Sequence, residues 1–282
     1  MTFPVFERLD HDRYQPTDYA RGPWDPRAMH GGAPSALLAG VLETALADPS
    51  DPAPMHPSRL TIDLERPVGI VPLTVTARVV RGGKKVRVAE AEVFDDSGTR
   101  LARATLLGIR STPQPIDLSA AVVTAVGSPP PARPSADGGL VGSPFADLSA
   151  GPLFHSHAVE HCFVRGEFGG LGPGTDWIRF VVPVVGGEPT SPLQRVAAAC
   201  DFGNGVSAAL PPGWIFINPD LTITLQRLPV GEWVCIDSVT LFGTYGYGSA
   251  ESELWDEQGR LGRSIQNLLI EPPPTSPSVS RV

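Results

Sequence analysis

Leu60-Thr61-Ile62-Asp63-Leu64-Glu65-Arg66 returns as Leu221-Thr222-Ile223-Thr224-Leu225-Gln226-Arg227, identical at five of seven positions and offset by 161 residues. Both copies alternate apolar with polar residues at their cores, the period-2 pattern of a half-buried strand. The similarity extends on either side. A stretch rich in small residues with helical spacing precedes each copy, 31–47 and 192–210. Strand-like runs and an acidic turn follow each copy: Asp95-Asp96-Ser97-Gly98 leads to Leu101-Ala102-Arg103, and Asp256-Glu257-Gln258-Gly259 leads to Leu261-Gly262-Arg263, one deletion bringing the offset to 160. Solenoid repeats run to about 50 residues, so a period this long implies a duplicated domain.

Each half is one helix followed by antiparallel strands, an α+β unit in which a curved sheet buries the helix. The expected strands are 73–80, 86–94 and 101–110 after the first ladder. In the second half they are 154–163, 177–183, 215–227, 233–244, 250–256 and 264–271. The expected boundaries are an N-terminal domain over 1–110, a Pro/Ser/Gly-rich linker over 111–150, a C-terminal domain over 151–271 and a disordered tail over 272–282.

Composition narrows the function classes. At 41% hydrophobic and 18% charged residues, 282 residues support a sizeable core, and no apolar run reaches the roughly 18 residues of a membrane span. The N-terminal stretch does not read as a signal peptide, so a cytoplasmic location is expected. A net charge of −8 disfavours nucleic acid as a partner. The three scattered cysteines, Cys162, Cys200 and Cys235, read as buried small hydrophobes and not as a disulfide framework or thiolate metal site. The only lysines, Lys84 and Lys85, fall in a turn between two strands, as a solvated hairpin or as a cationic patch for a ligand's phosphates.

Duplication leaves one working site sufficient, so a chemical residue found in one half alone stands out. Asp201 lies among small and apolar residues of the second helical stretch, with its first-half counterpart expected near Met29. A carboxylate there is costly unless hydrogen-bonded, which suits either a general base or the cap of a helix broken at Gly203 and Gly205. Gln266 stands where the first half has Leu106, and Asn218 where it has Pro57. Each can bind water or substrate, or serve as a structural hydrogen bonder or turn residue.

The helix carrying Asp201-Phe202, the Leu-Thr-Ile-Thr-Leu-Gln-Arg ladder and the last strand with Ser264-Ile265-Gln266 together resemble the bacterial type II acyl-CoA thioesterases. That resemblance covers about 19–271 without the linker. It implies a double hot-dog fold, two antiparallel sheets each wrapped around a central helix. It further implies hydrolysis of an acyl-CoA to free acid and CoA by a water held between an Asp, a Thr or Ser, and a Gln, with no cofactor. Carried over by position, these are Asp201, Asn218 in place of the hydroxyl residue, and Gln266. Met29-His30-Gly31-Gly32 resembles the His-Gly-Gly loop of hot-dog proteins, whose backbone N–H groups at a helix start polarise a thioester carbonyl. With no acid on the following helix before Glu43, the first-half site is expected to be silent. The implied substrate-binding set is His30, Gly31, Gly32, Gly203, Lys84 and Lys85, and a homo-oligomer stays open.

Two rivals are weighed. Hot-dog hydratases use Asp-x-Asn-Pro-x-His, and Ile217-Asn218-Pro219-Asp220-Leu221 lacks the His. A non-catalytic acyl-CoA-binding relative draws its support from Asn218. Finally, His155, His157 and His161 would share one strand face, where a metal or simply a polar surface could be placed; the lack of an acid or thiol at matching spacing argues against a metal.

Overall fold

The computed structural model describes residues 3–47, 54–112, 117, 129–134, 151–211 and 213–273. Most of the expected linker and nearly all of the expected tail lie outside these residues. The first half comprises β1 (Phe6–Arg8), β2 (Arg13–Pro16), α1 (Gly32–Leu46), β3 (Met55–Leu64), β4 (Leu73–Arg81), β5 (Val86–Asp95) and β6 (Arg100–Arg110). The second comprises β7 (Val159–Arg165), β8 (Gly174–Phe180), α2 (Pro192–Cys200), α3 (Gly203–Val206), β9 (Ile215–Ile217), β10 (Asp220–Leu225), β11 (Val234–Phe242), β12 (Tyr247–Asp256) and β13 (Gly259–Glu271).

The two expected sheets are fused into one of 13 strands, ordered β1-β2-β4-β5-β6-β3-β10-β13-β12-β11-β8-β7, with β9 paired to β13. The repeated ladder makes the seam. In the antiparallel β3–β10 pair, Thr61 faces Thr222, Leu60 faces Ile223 and Ile62 faces Leu221. Thr61 thus meets its own repeat equivalent, Leu60 and Ile62 meet each other's, and a pseudo-two-fold axis passes between the two threonines. The duplication is therefore built into the seam, in a register that keeps both apolar faces inward.

Burial explains the helices. From Gly32 to Ala39 every residue of α1 is buried, as expected of a helix covered by its sheet on one side and by α2 on the other. The two-fold brings the head of each helix against the later turns of the other. The acidic turns also serve both halves alike: Asp95 accepts from the Ser97 and Thr99 N–H groups, and Asp256 from those of Gln258 and Val230.

Several expectations need correction. The helix expected over 192–210 breaks at Asp201-Phe202 into α2 and α3, and the two helix starts, Gly32 and Pro192, put Asp201's counterpart at Val41, not Met29. The strand expected over 154–163 begins as a π-helical turn, Phe154–Ala158, so His155 and His157 sit in that turn and only His161 is on β7. The three histidines do not share a strand face, and among the described residues no group of three ligating side chains could hold a metal. The run 215–227 is split at Asn218-Pro219, where Pro219 has no N–H to continue a ladder. Strands β1 and β2 were not anticipated; they are short, and β2 extends the sheet beyond β4.

Candidate active site

At the end of α2 the chain turns sharply, and Asp201 is the C-cap residue. The residue is only 5% exposed overall. Two groups hold its carboxylate. Asn218 Nδ2 donates to Oδ1 at 2.8 Å, from the break between β9 and β10, and His30 Nδ1 lies 3.0 Å from Oδ2. His30 belongs to the loop that enters α1, so the first half supplies part of a site whose acid is in the second.

His30 Nδ1 is also 3.1 Å from the Gly32 N–H. A ring nitrogen donates or accepts but not both, so one tautomer makes one of these bonds. Beside a carboxylate, the protonated nitrogen is the favoured form, and His30 then donates to Asp201. In that tautomer the Gly32 N–H, at the positive head of α1 and directed at the His30 ring, is left without an acceptor there. His30 itself is fixed by aromatic rings, with centroids 4.5 Å from Phe202 and 5.1 Å from Phe154.

Close approach explains the glycines. A Cβ on Gly31 would lie 2.7 and 2.8 Å from the two Asp201 carboxylate oxygens, and one on Gly203 would lie 2.8 Å from Gln266 Oε1. Gln266, 1% exposed on β13, clasps the helix break: Nε2 donates to the Asp201 backbone O at 3.2 Å, and Oε1 accepts from the Asn204 N–H at 3.3 Å. One N–H and one lone pair of its amide are then still available for a water.

Residues 20–109 match a family model described as the acyl-CoA thioesterase N-terminal domain, and residues 126–270 match one described as the acyl-CoA thioesterase C-terminal domain. The chain belongs to the acyl-CoA thioesterase family. The C-terminal match begins 25 residues before the expected boundary at 151. Solved structures share the fold along nearly the whole length. A candidate thioesterase II from Thermobifida fusca is 20% identical, covering 94% of this chain and 95% of that one, with a TM-score of 0.64. A hot-dog protein of unknown function from Alicyclobacillus acidocaldarius gives 18% identity, 95% and 96% coverage and a TM-score of 0.64. Acyl-CoA thioesterase II TesB2 from Mycobacterium marinum gives 14% identity, 96% and 97% coverage and a TM-score of 0.61. No curated protein matches the chain.

In this thioesterase-family chain the structure brings together Asp201, Asn218, Gln266, Gly203, His30, Gly31 and Gly32. It does not bring Lys84 and Lys85 to them. Those lysines are exposed in the β4–β5 hairpin, whose Arg87 reaches the carbonyl of Leu46 at the far end of α1. That end is about 22 Å of helix from the head at Gly32. The His30–Asp201 pairing was not legible in sequence, because 171 residues separate the partners and the expected counterpart of Asp201 was misplaced. A second buried pair, also unforeseen, lies behind Phe202: His161 Nδ1 is 2.5 Å from Asp176 Oδ2, and the Cys162 N–H donates to Oδ1. Burial pushes the Asp176 carboxyl up, against the opposing pull of His161.

Proposed function

We propose that the protein hydrolyses the thioester of a fatty or related acyl-CoA, with Asp201 as general base. The supporting observation is the buried Asp201 carboxylate held jointly by His30 and Asn218 at the head of α1. A water resting on Asp201, within reach of the Gln266 amide, gives its proton to the carboxylate as its oxygen bonds to the thioester carbon. The carbonyl electron pair moves onto oxygen and is met by the Gly32 N–H. When the intermediate collapses, the C–S bond breaks, and the CoA thiolate leaves with the proton that Asp201 held. General-base assistance of this kind contributes about 10² to 10⁴ in rate. The acyl chain would lie between the helices and the sheet.

Asn218 in place of the family's hydroxyl still donates to the base and leaves its own amide oxygen as an acceptor, so turnover is expected to survive. Thiol release measured with DTNB across short, long and aromatic acyl-CoAs tests the proposal. Turnover of at least one class is expected. Tight acyl-CoA binding without thiol release would favour a non-catalytic binding protein instead.

A further inference from the structure

The pseudo-two-fold that puts the head of α1 against Asp201 also puts the head of α2 against the later turns of α1. There the chain carries a different acid. Glu43 projects from α1, and its Oε2 accepts a hydrogen bond from Ser191 Oγ, at the N-cap of α2. This mirrors the contact of His30 with Asp201: a residue at one helix's head meets an acid from the other helix. Glu43 lies two residues beyond Val41, the counterpart of Asp201, and its longer side chain reaches the head of α2.

Gly40 is vacant of a side chain because another group fills its place. A Cβ there would fall 2.5 Å from Gln194 Nε2. Gln194 is 7% exposed; its Oε1 accepts from the Ser191 N–H in the capping box, and its Nε2 makes no hydrogen bond among the described residues. The head of α2 offers a second donor. Pro192 has no N–H, Gln194 N–H is capped by Ser191 Oγ, and Arg195 N–H bonds the Ser191 O, which leaves the Leu193 N–H without a partner among the described residues. Glu43, Ser191, Gln194 and Gly40 all line a cleft of about 1010 Å³, at the upper end of the range for small-molecule sites. Its walls combine apolar residues, Val41 on α1, Val75 and Ala77 on β4, and Val185, with the charged or polar Arg8, His11, Asp12 and Glu188. Burial also pushes the Glu43 carboxyl up, against the opposing hydrogen bond from Ser191.

We propose that this first-half cleft is a second acyl-thioester hydrolysis site, with Glu43 as its base and Gln194 Nε2 holding the water. The proposal rests on the reading that the chain turns over acyl thioesters, and it replaces the expectation of a silent first half. The chemistry balances as at Asp201. Water loses a proton to Glu43 and bonds through oxygen to the thioester carbon; the C–S bond then breaks, and the thiolate departs with that proton. An amide contributed by a helix start, rather than by the last strand, substitutes for the pair that Pro57 and Leu106 cannot supply.

Six proteins decide it: wild type, Asp201→Asn, Glu43→Gln, Ala77→Trp and the two double variants that add Glu43→Gln or Ala77→Trp to Asp201→Asn, assayed for thiol release over the acyl-CoA panel. Glu43→Gln keeps an oxygen acceptor for Ser191, so the fold is retained. Ala77→Trp, at an exposed position on the cleft wall, adds bulk to the cleft and leaves the Glu43 carboxylate itself unaltered. The expected result is that Asp201→Asn retains activity on at least one acyl class, and that adding either Glu43→Gln or Ala77→Trp lowers this remainder by about 100-fold, within the span of base catalysis. If Asp201→Asn alone falls to background while Glu43→Gln and Ala77→Trp match wild type, the second site is refuted and the Asp201 proposal stands. If Asp201→Asn matches wild type while Glu43→Gln abolishes release, the Asp201 proposal fails and the Glu43 site stands.

Discussion

Replacing Gly31 by alanine isolates the Asp201 geometry from the rest of the fold. Gly31 has φ −58° and ψ −25°, a conformation any residue adopts, so the backbone is not strained. The added methyl, however, would lie 2.7 and 2.8 Å from the carboxylate oxygens, against ordinary contacts that begin at 3.4 Å. The carboxylate must therefore retreat by about 0.7 Å, the larger of the two shortfalls. The His30 Nδ1 to Oδ2 distance, now 3.0 Å, would lengthen past hydrogen-bonding range. Misplacement by about 1 Å costs on the order of 10²-fold in rate, so this shift is expected to lower kcat about tenfold, or about 1.4 kcal/mol. Stability should change little, because alanine's smaller unfolded-state freedom returns about 0.4–1 kcal/mol. Steady-state thiol release and thermal unfolding of the same preparation provide the test. A folded Gly31→Ala protein with kcat within twofold of wild type would refute the claim that chemistry depends on the placement of this carboxylate.

Asn218→Ala removes a donor to a buried charged acceptor, and about 2 kcal/mol of combined loss in kcat/KM and stability is expected; Asn218→Thr, which returns the family's hydroxyl, should retain more of the rate. His155 is held to a pKa of about 3 by burial and by the neighbouring histidines His30, His161 and His157. Its folded pKa lies below the unfolded value near 6.5, so the unfolded state binds the extra proton and stability falls as pH drops from 6.5 towards 3. Between pH 7 and pH 5 this group alone should cost about 2 kcal/mol, and urea midpoints of His155→Phe should lack that part of the decline. Arg227→Met strips the guanidinium from Asp256, which is fully buried and also caps the β12–β13 turn. About 3 kcal/mol of destabilisation is expected by urea unfolding.

The repeat made the fold legible, because a strand that recurs with its helix and turn leaves few arrangements, and the ladder became the seam between the halves. Asp201, Asn218 and Gln266 stood out as candidates for the same reason: each is a polar residue where the other half is apolar. What the repeat did not disclose was which half faces which. His30 reaches Asp201, and Ser191 reaches Glu43, only through the two-fold packing of α1 on α2, a relation between distant segments that local periodicity does not encode. The helix break at Asp201 was also underread, since Ala-rich spacing continues on either side of it. The π-helical turn at Phe154–Ala158 was missed because a short alternating run is compatible with a strand until its hydrogen bonds are known.

Single-turnover thiol release by Asp201→Asn, made in a Glu43→Gln background so that only the Asp201 site can act, under saturating enzyme and with the acyl-CoA that this background hydrolyses best, tests the central claim most directly. Loss of the base should slow the chemical step by about 10² to 10⁴ while leaving acyl-CoA affinity within a few-fold of the background protein. An unchanged single-turnover rate when Asp201→Asn is added to that background, in a correctly folded protein, would contradict the account.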